Sequence, residues 1–171
     1  MTVLLTIITI LMGSPLNTEL IGKHISEIPS AKLNVKEISY NSYTITPNTG
    51  IYLGKPYQSF SIVTDKNDVI KELSIRMNHA IDKSFFNRMV EEYGDPFALY
   101  KIDEILETKT SFHEDGGSST SSKGSMKKCT FEEDPIFIIW NIKEQSIIVK
   151  IKRQGSFPST SISLENKGFW R

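Results

Sequence analysis

A pattern of apolar side chains that occurs twice does most to limit the folds open to this chain. Leu20, Ile21, Ile25 and Ile28 stand at the same relative offsets as Phe85, Phe86, Val90 and Tyr93. The shared i, i+1, i+5, i+8 spacing puts each set on one face of a 3.6-period helix. A proline closes each unit, Pro29 and Pro96, and strand-like segments follow. The pattern predicts an α+β fold in which two α-then-β units, about 15–78 and 79–171, form a single domain over 15–171. Both helices should pack on one face of a mainly antiparallel sheet, because each apolar stripe needs a surface to cover.

The first helix is expected over Asn17–Ile28, with cap chemistry from Ser14 or Asn17 and a weak point at Gly22. The second starts at the cap Asp82 and stops at Gly94, with Pro96 preventing resumption. Leu33–Ile45 reads as one strand. Ile51–Asp65 and Asp68–Met77 read as a hairpin turning at Lys66-Asn67, with Gly54 and Pro56 marking a bulge or an edge. Phe97–Ile102 begins a strand. Ile136–Ile142 and Ser146–Lys152 form another hairpin, whose unbroken apolar run suggests a strand covered on both faces. Ser159–Leu164 reads as a final edge strand. The segment 113–128 has Met126 as its one apolar residue and is expected to be a mobile polar loop.

Twenty basic and twenty acidic residues balance, which argues against a nucleic-acid partner, since phosphate binding shows as a basic excess. The densest basic stretch, Lys150, Lys152 and Arg153, reads as a solvated strand face. Residues 1–14 are largely apolar and fit a signal peptide, although no basic residue precedes the run and Pro15 follows it awkwardly. The run is about half of the ~20 residues a membrane span needs, so none is expected in the mature chain. Leu11-Met12-Gly13-Ser14 has serine where a lipoprotein box carries cysteine, so lipidation is not expected. A periplasmic or secreted location is the reading, with the cytoplasm as alternative. The single cysteine, Cys129, excludes an internal disulfide.

Chemistry-bearing residues are sparse. Cys129 follows Lys127 and Lys128, which could stabilise a thiolate, yet at a strand start a cysteine is more often a small hydrophobe. His113, Glu114 and Asp115, or His79 and Asp82, lack metal-ligand spacing, and His24 reads as a boundary histidine. Glu91-Glu92 and Glu132-Glu133-Asp134 read as solvated faces. No phosphate-binding loop, dinucleotide fingerprint or nucleophile elbow occurs. The sequence therefore predicts no catalytic residue, no cofactor and no metal.

Phe85, Met89 and Tyr93-Gly94-Asp95-Pro96, followed by strands bearing Trp140, resemble a recurring design of small bacterial envelope proteins. The arrangement is similar to the tandem α-β-β design of the beta-lactamase inhibitory protein and of small outer-membrane assembly lipoproteins. The resemblance implies a non-enzymatic protein-binding or scaffold role. Tyr40, Tyr43, Tyr52 and Tyr57 are the candidate partner-binding residues, because aromatic side chains carry much of the energy of interfaces. A cytosolic immunity-type protein that neutralises a toxin, and a small ligand-binding protein or enzyme with an unrecognised site, stand as alternatives.

Overall fold

The computed structural model describes residues 15–28, 34–39, 41–46, 49–112, 118–153 and 157–167. The strands within them are β1 (Asn34–Ser39), β2 (Ser42–Thr46), β3 (Gly50–Tyr52), β4 (Lys55–Tyr57), β5 (Ser59–Thr64), β6 (Ile70–Met77), β7 (Ala98–Phe112), β8 (Ser118–Lys128), β9 (Phe137–Ile142), β10 (Gln145–Lys152) and β11 (Ser159–Asn166). One α-helix, α1 (Lys83–Tyr93), joins β6 to β7. Nine strands make an antiparallel sheet in the order β1-β2-β5-β6-β11-β10-β9-β7-β8, and β3 and β4 form a separate hairpin.

Period-two alternation decides which side of the sheet is covered. Ile62, Leu73, Leu164, Ile147 and Trp140 are register neighbours across β5, β6, β11, β10 and β9, and each is at most 1% exposed. Phe60, Ile75, Ile162, Val149 and Ile138 form a second buried row beside them. α1 lies over these rows with Phe85, Phe86 and Met89 buried. Asp82 Oδ1 caps it by accepting from Phe85 N at 2.8 Å. At the other end Trp140 Nε1 donates to Gly94 O at 2.8 Å, which ties the helix terminus to the sheet. The β3–β4 hairpin covers the outer flank of α1. Tyr52 meets the edge of the Phe85 ring at 6.0 Å, and its hydroxyl sits 2.6 Å from that of Tyr93.

The first expected helix does not form. Residues 17–28 make two short 3-10 turns, Thr18–Leu20 and Ile25–Glu27. Gly22 at φ +89 breaks the helical path, and the backbone turns outward to the sheet instead. Gly22 N donates to Ile70 O, Ile70 N to Lys23 O and Ile25 N to Asp68 O, all at 2.8 Å. Those bonds take the groups a helix would have paired internally. The apolar stripe is still used, since Leu20 and Ile28 join the core cluster that contains Phe85 and Met89.

Four strand expectations also change. The single strand over Leu33–Ile45 is a β1–β2 hairpin, with Asn41 at φ 58 in its turn. Ile51–Asp65 splits into β3, β4 and β5. β11 is not an edge strand: it lies between β6 and β10 because Ile162 and Leu164 complete both core rows. β9 is covered on one face, with Ile138 and Trp140 buried but Phe137 and Ile139 half-buried.

Most of the segment read as a polar loop is strand. β8 pairs with β7 along its whole length, from Tyr100↔Lys128 to Phe112↔Ser118. Composition misled because Ser and Thr side chains satisfy each other across the pair, Thr108 with Ser122 and Thr110 with Thr120, each at 3.2 Å. Lys127 also pairs with Asp103 at 2.6 Å. Two bulges twist this ribbon, at Asp103 and Leu106. At the second, the strands approach so closely that a Cβ on Gly124 would run into the Glu104 carbonyl. β7 meets β9 only through Ala98–Tyr100, so the remaining ~12 residues project as an arm of roughly 40 Å. His113–Gly117 and residues 1–14 lie outside the described residues, as does Tyr40.

Candidate functional site

Alternation sends a second set of side chains to the opposite face, on which no helix packs among the described residues. Thr44, Ser61, Ser74, Ser163, Ile148 and Ile139 make its central row. Ser61 and Ser74 share a hydrogen bond of 3.1 Å. The neighbouring row reads Ser59, Arg76, Ser161, Lys150, Phe137 and Tyr100. On the other side Val63, Glu72, Glu165, Ser146 and Asn141 run in register. The face therefore has a low serine strip flanked by one cationic and one acidic row. Burial raises the Glu72 carboxyl above its usual range, and the charge of Lys150 opposes that rise.

The cationic row opens into a groove of about 820 Å³ between the end of this face and the base of the β7–β8 arm. Arg76, Lys150, Lys152, Phe137, Ile102 and Ser161 line it. Lys101 and Arg153 stand at its margin with Glu133 and Asp134. Both acids are taken: Glu133 pairs with Lys101 at 2.6 Å and Asp134 with Arg153 at 3.2 Å. The Lys101 ammonium holds the Glu133 carboxyl down at about 2. Arg76 and Lys152 have no ion-pair partner among the described residues. In a chain with twenty charges of each sign, a groove with five cations and two engaged acids is a local segregation of charge.

The short turn Phe131–Glu133 builds the groove margin. Phe131 stacks on Phe86 at 4.4 Å, while Glu132 reaches Lys83 of α1 at 2.5 Å. The three consecutive acids stay exposed, as their sequence suggested, and also fasten the turn to α1, to β7 and to Arg153.

The other sequence candidates take structural places. Tyr52 is 3% exposed, which makes it core rather than surface. Tyr43 is half-buried against the core and donates to Asp68 Oδ1 at 3.0 Å. Tyr57 is half-buried against the same core, and desolvation raises its hydroxyl pKa. None of these three lies in the groove. His24 caps the second 3-10 turn by accepting from Ser26 N at 3.2 Å. Cys129 is half-buried, and desolvation together with the Glu133 carboxylate pushes its thiol up, the reverse of activation. Of the two preceding lysines, Lys127 is held by Asp103 and Lys128 lies over the Phe97 ring at 5.9 Å.

Among the described residues no group of three or more His, Cys, Asp or Glu side chains is placed to hold a metal ion. No helix among them is long and apolar enough to cross a membrane. The groove was missed in the sequence because Arg76, Lys150 and Phe137 come from three strands. The one available signal was the alternation of Lys150 and Lys152 with buried Ile151. No protein-family model matches the chain, and no curated protein or solved structure is detectably similar to it.

Proposed function

We propose that the chain is a non-enzymatic protein-binding module that receives its partner on the open face of the nine-stranded sheet. The observation that carries this reading is the contrast between the two faces. One is sealed by α1, the β3–β4 hairpin and the 3-10 turns. The other displays half-buried Phe137, Ile139 and Ile148 with no described element over them, while Ser163, Glu165 and Ser146 toward its acidic side are buried. Nine strands at ~4.8 Å spacing span roughly 40 Å, wide enough for the ~800 Å² that a standard interface buries on each partner. The binding surface is therefore shifted from the tyrosines to the sheet.

The same reading takes 15–78 and 79–171 as related units and the protein as a bacterial one acting outside the cytoplasm. In its support, the last strands of the two units, β6 and β11, lie side by side at the middle of the sheet. The apolar run in residues 1–14 supports export, and sequencing the amino terminus of the native protein tests it.

A benzophenone amino acid placed at Ser74 or Ile148, against Glu91 on α1, tests the binding face. Irradiation in the native cell should give discrete adducts from the sheet positions and none from Glu91. Adducts confined to Glu91 would refute the open-face reading.

A further inference from the structure

We infer that the groove at the end of the open face takes an extended acidic segment of the protein partner, with carboxylates on Arg76, Lys150 and Lys152 and an apolar side chain on Phe137 and Ile102. The inference rests on the open-face reading and names what that face selects.

The spacing of the cations fits an extended ligand. Arg76 and Lys150 flank Ser161 in register, which sets their backbones ~10 Å apart, two strand spacings. Lys150 and Lys152 are two residues apart on β10, ~7 Å along the strand. An extended polypeptide running along β10 presents alternate side chains at the same ~7 Å repeat, so successive carboxylates meet successive cations. The apolar side chain that meets Phe137 and Ile102 follows the carboxylates on the same groove-facing edge, and the intervening side chains face solvent.

Charge complementarity selects acid. Both acids at the margin are already paired with Lys101 and Arg153, so the field in the groove belongs to the remaining cations. Apolar surface selects polypeptide over nucleic acid. Ile102 is 50% exposed at the arm base, directly across from Met126, itself 55% exposed. The wall that continues from the groove is thus aliphatic, with Phe137 the single aromatic side chain of the lining.

The test uses the whole chain and a fluorescein-labelled nine-residue peptide whose alternate positions carry Glu and Leu on one edge, with Thr at the intervening positions. Its controls are the same peptide with Gln for Glu, a twelve-residue oligothymidylate and inorganic phosphate as competitor. Anisotropy at low salt should show the Glu peptide binding at least tenfold more tightly than the Gln peptide. Arg76→Gln with Lys150→Gln should weaken it tenfold or more, while Lys66→Gln with Lys123→Gln, exposed lysines elsewhere, should leave it unchanged. Circular dichroism should show both double variants folded as the parent. Equal binding of the two peptides, equal losses in both variants, tighter binding of the oligothymidylate, or full displacement by millimolar phosphate would each overturn the inference. Cross-linking from Ser74 and Ile148 separates the two levels. If those adducts persist in Arg76→Gln/Lys150→Gln while the peptides fail to discriminate, the open face binds protein but not through acid. If the adducts are absent in the parent, the open-face reading itself falls.

Discussion

Phe86 is the side chain through which the helix, the groove margin and the sheet are held together, so Phe86→Ala is the sharpest test of the packing. The ring is 8% exposed, stacks on Phe131 at 4.4 Å and 20°, and lies 6.1 Å from Trp140. Truncating a buried Phe to Ala costs ~3–5 kcal/mol. The share belonging to the ring pair with Phe131 is ~1 kcal/mol. Phe86→Leu keeps most of the volume and should lose ~1–1.5 kcal/mol, chiefly that pair. Against a total stability of ~5–15 kcal/mol, Phe86→Ala should lower the melting temperature by roughly 6–20 °C, at ~2–4 °C per kcal/mol for a chain of this size. Urea titration followed by far-ultraviolet circular dichroism gives the free energies. A cycle with Phe131→Leu should show a coupling of ~1 kcal/mol. A loss below ~1.5 kcal/mol for Phe86→Ala, or strict additivity in the cycle, would refute the account of α1 and the Phe131 turn as one packed unit.

Three further outcomes are expected. Cutting the β7–β8 arm back to a tight turn after Ile102 should shift the melting temperature by no more than ~2 °C, because β7 meets β9 only at Ala98–Tyr100 and the arm pairs with itself; a collapse of stability would show the arm is packed elsewhere. Alkylation of Cys129 across pH should titrate above the ordinary thiol value of ~8.5, and Cys129→Ser should cost at most ~1–2 kcal/mol; a thiol titrating well below that value would reopen the catalytic reading. Two carboxylates should act on stability with opposite sign. Lys55 holds Asp82 below its usual range, so its contribution is present above the unfolded pKa and is lost as pH falls through the folded one. Glu72 is raised by burial, so stability is gained as pH falls through its folded pKa toward the ordinary carboxylate range. Melting temperatures against pH should therefore show Asp82→Asn destabilising at neutral pH and Glu72→Gln neutral or stabilising; the reverse order would contradict the burial assigned to Glu72.

Local signals in the chain were enough to define α1, since Asp82, Phe85, Phe86 and Gly94 act within a few residues of one another. The hairpins of β5 with β6 and of β9 with β10 were legible for the same reason, because period-two alternation and a tight turn are both local. The apolar stripe of residues 17–28 identified core residues correctly but not their backbone. Leu20 and Ile28 are buried whichever way the chain runs, and it was the Ile70 and Asp68 carbonyls, distant in sequence, that drew the amides out of a helix. The Ser-rich segment failed as a prediction because its stability as a strand comes from β7 opposite, and no composition records a partner. The same reason hides the groove. Lys150 and Lys152 announced an exposed strand face, but only the sheet order sets Arg76 two strands away from Lys150 and Phe137 beside it. The chain by itself determined most of the apolar core, with Tyr52 an exception; which of the remaining residues stand together was decided by strand order, because cross-strand neighbours carry no local periodicity.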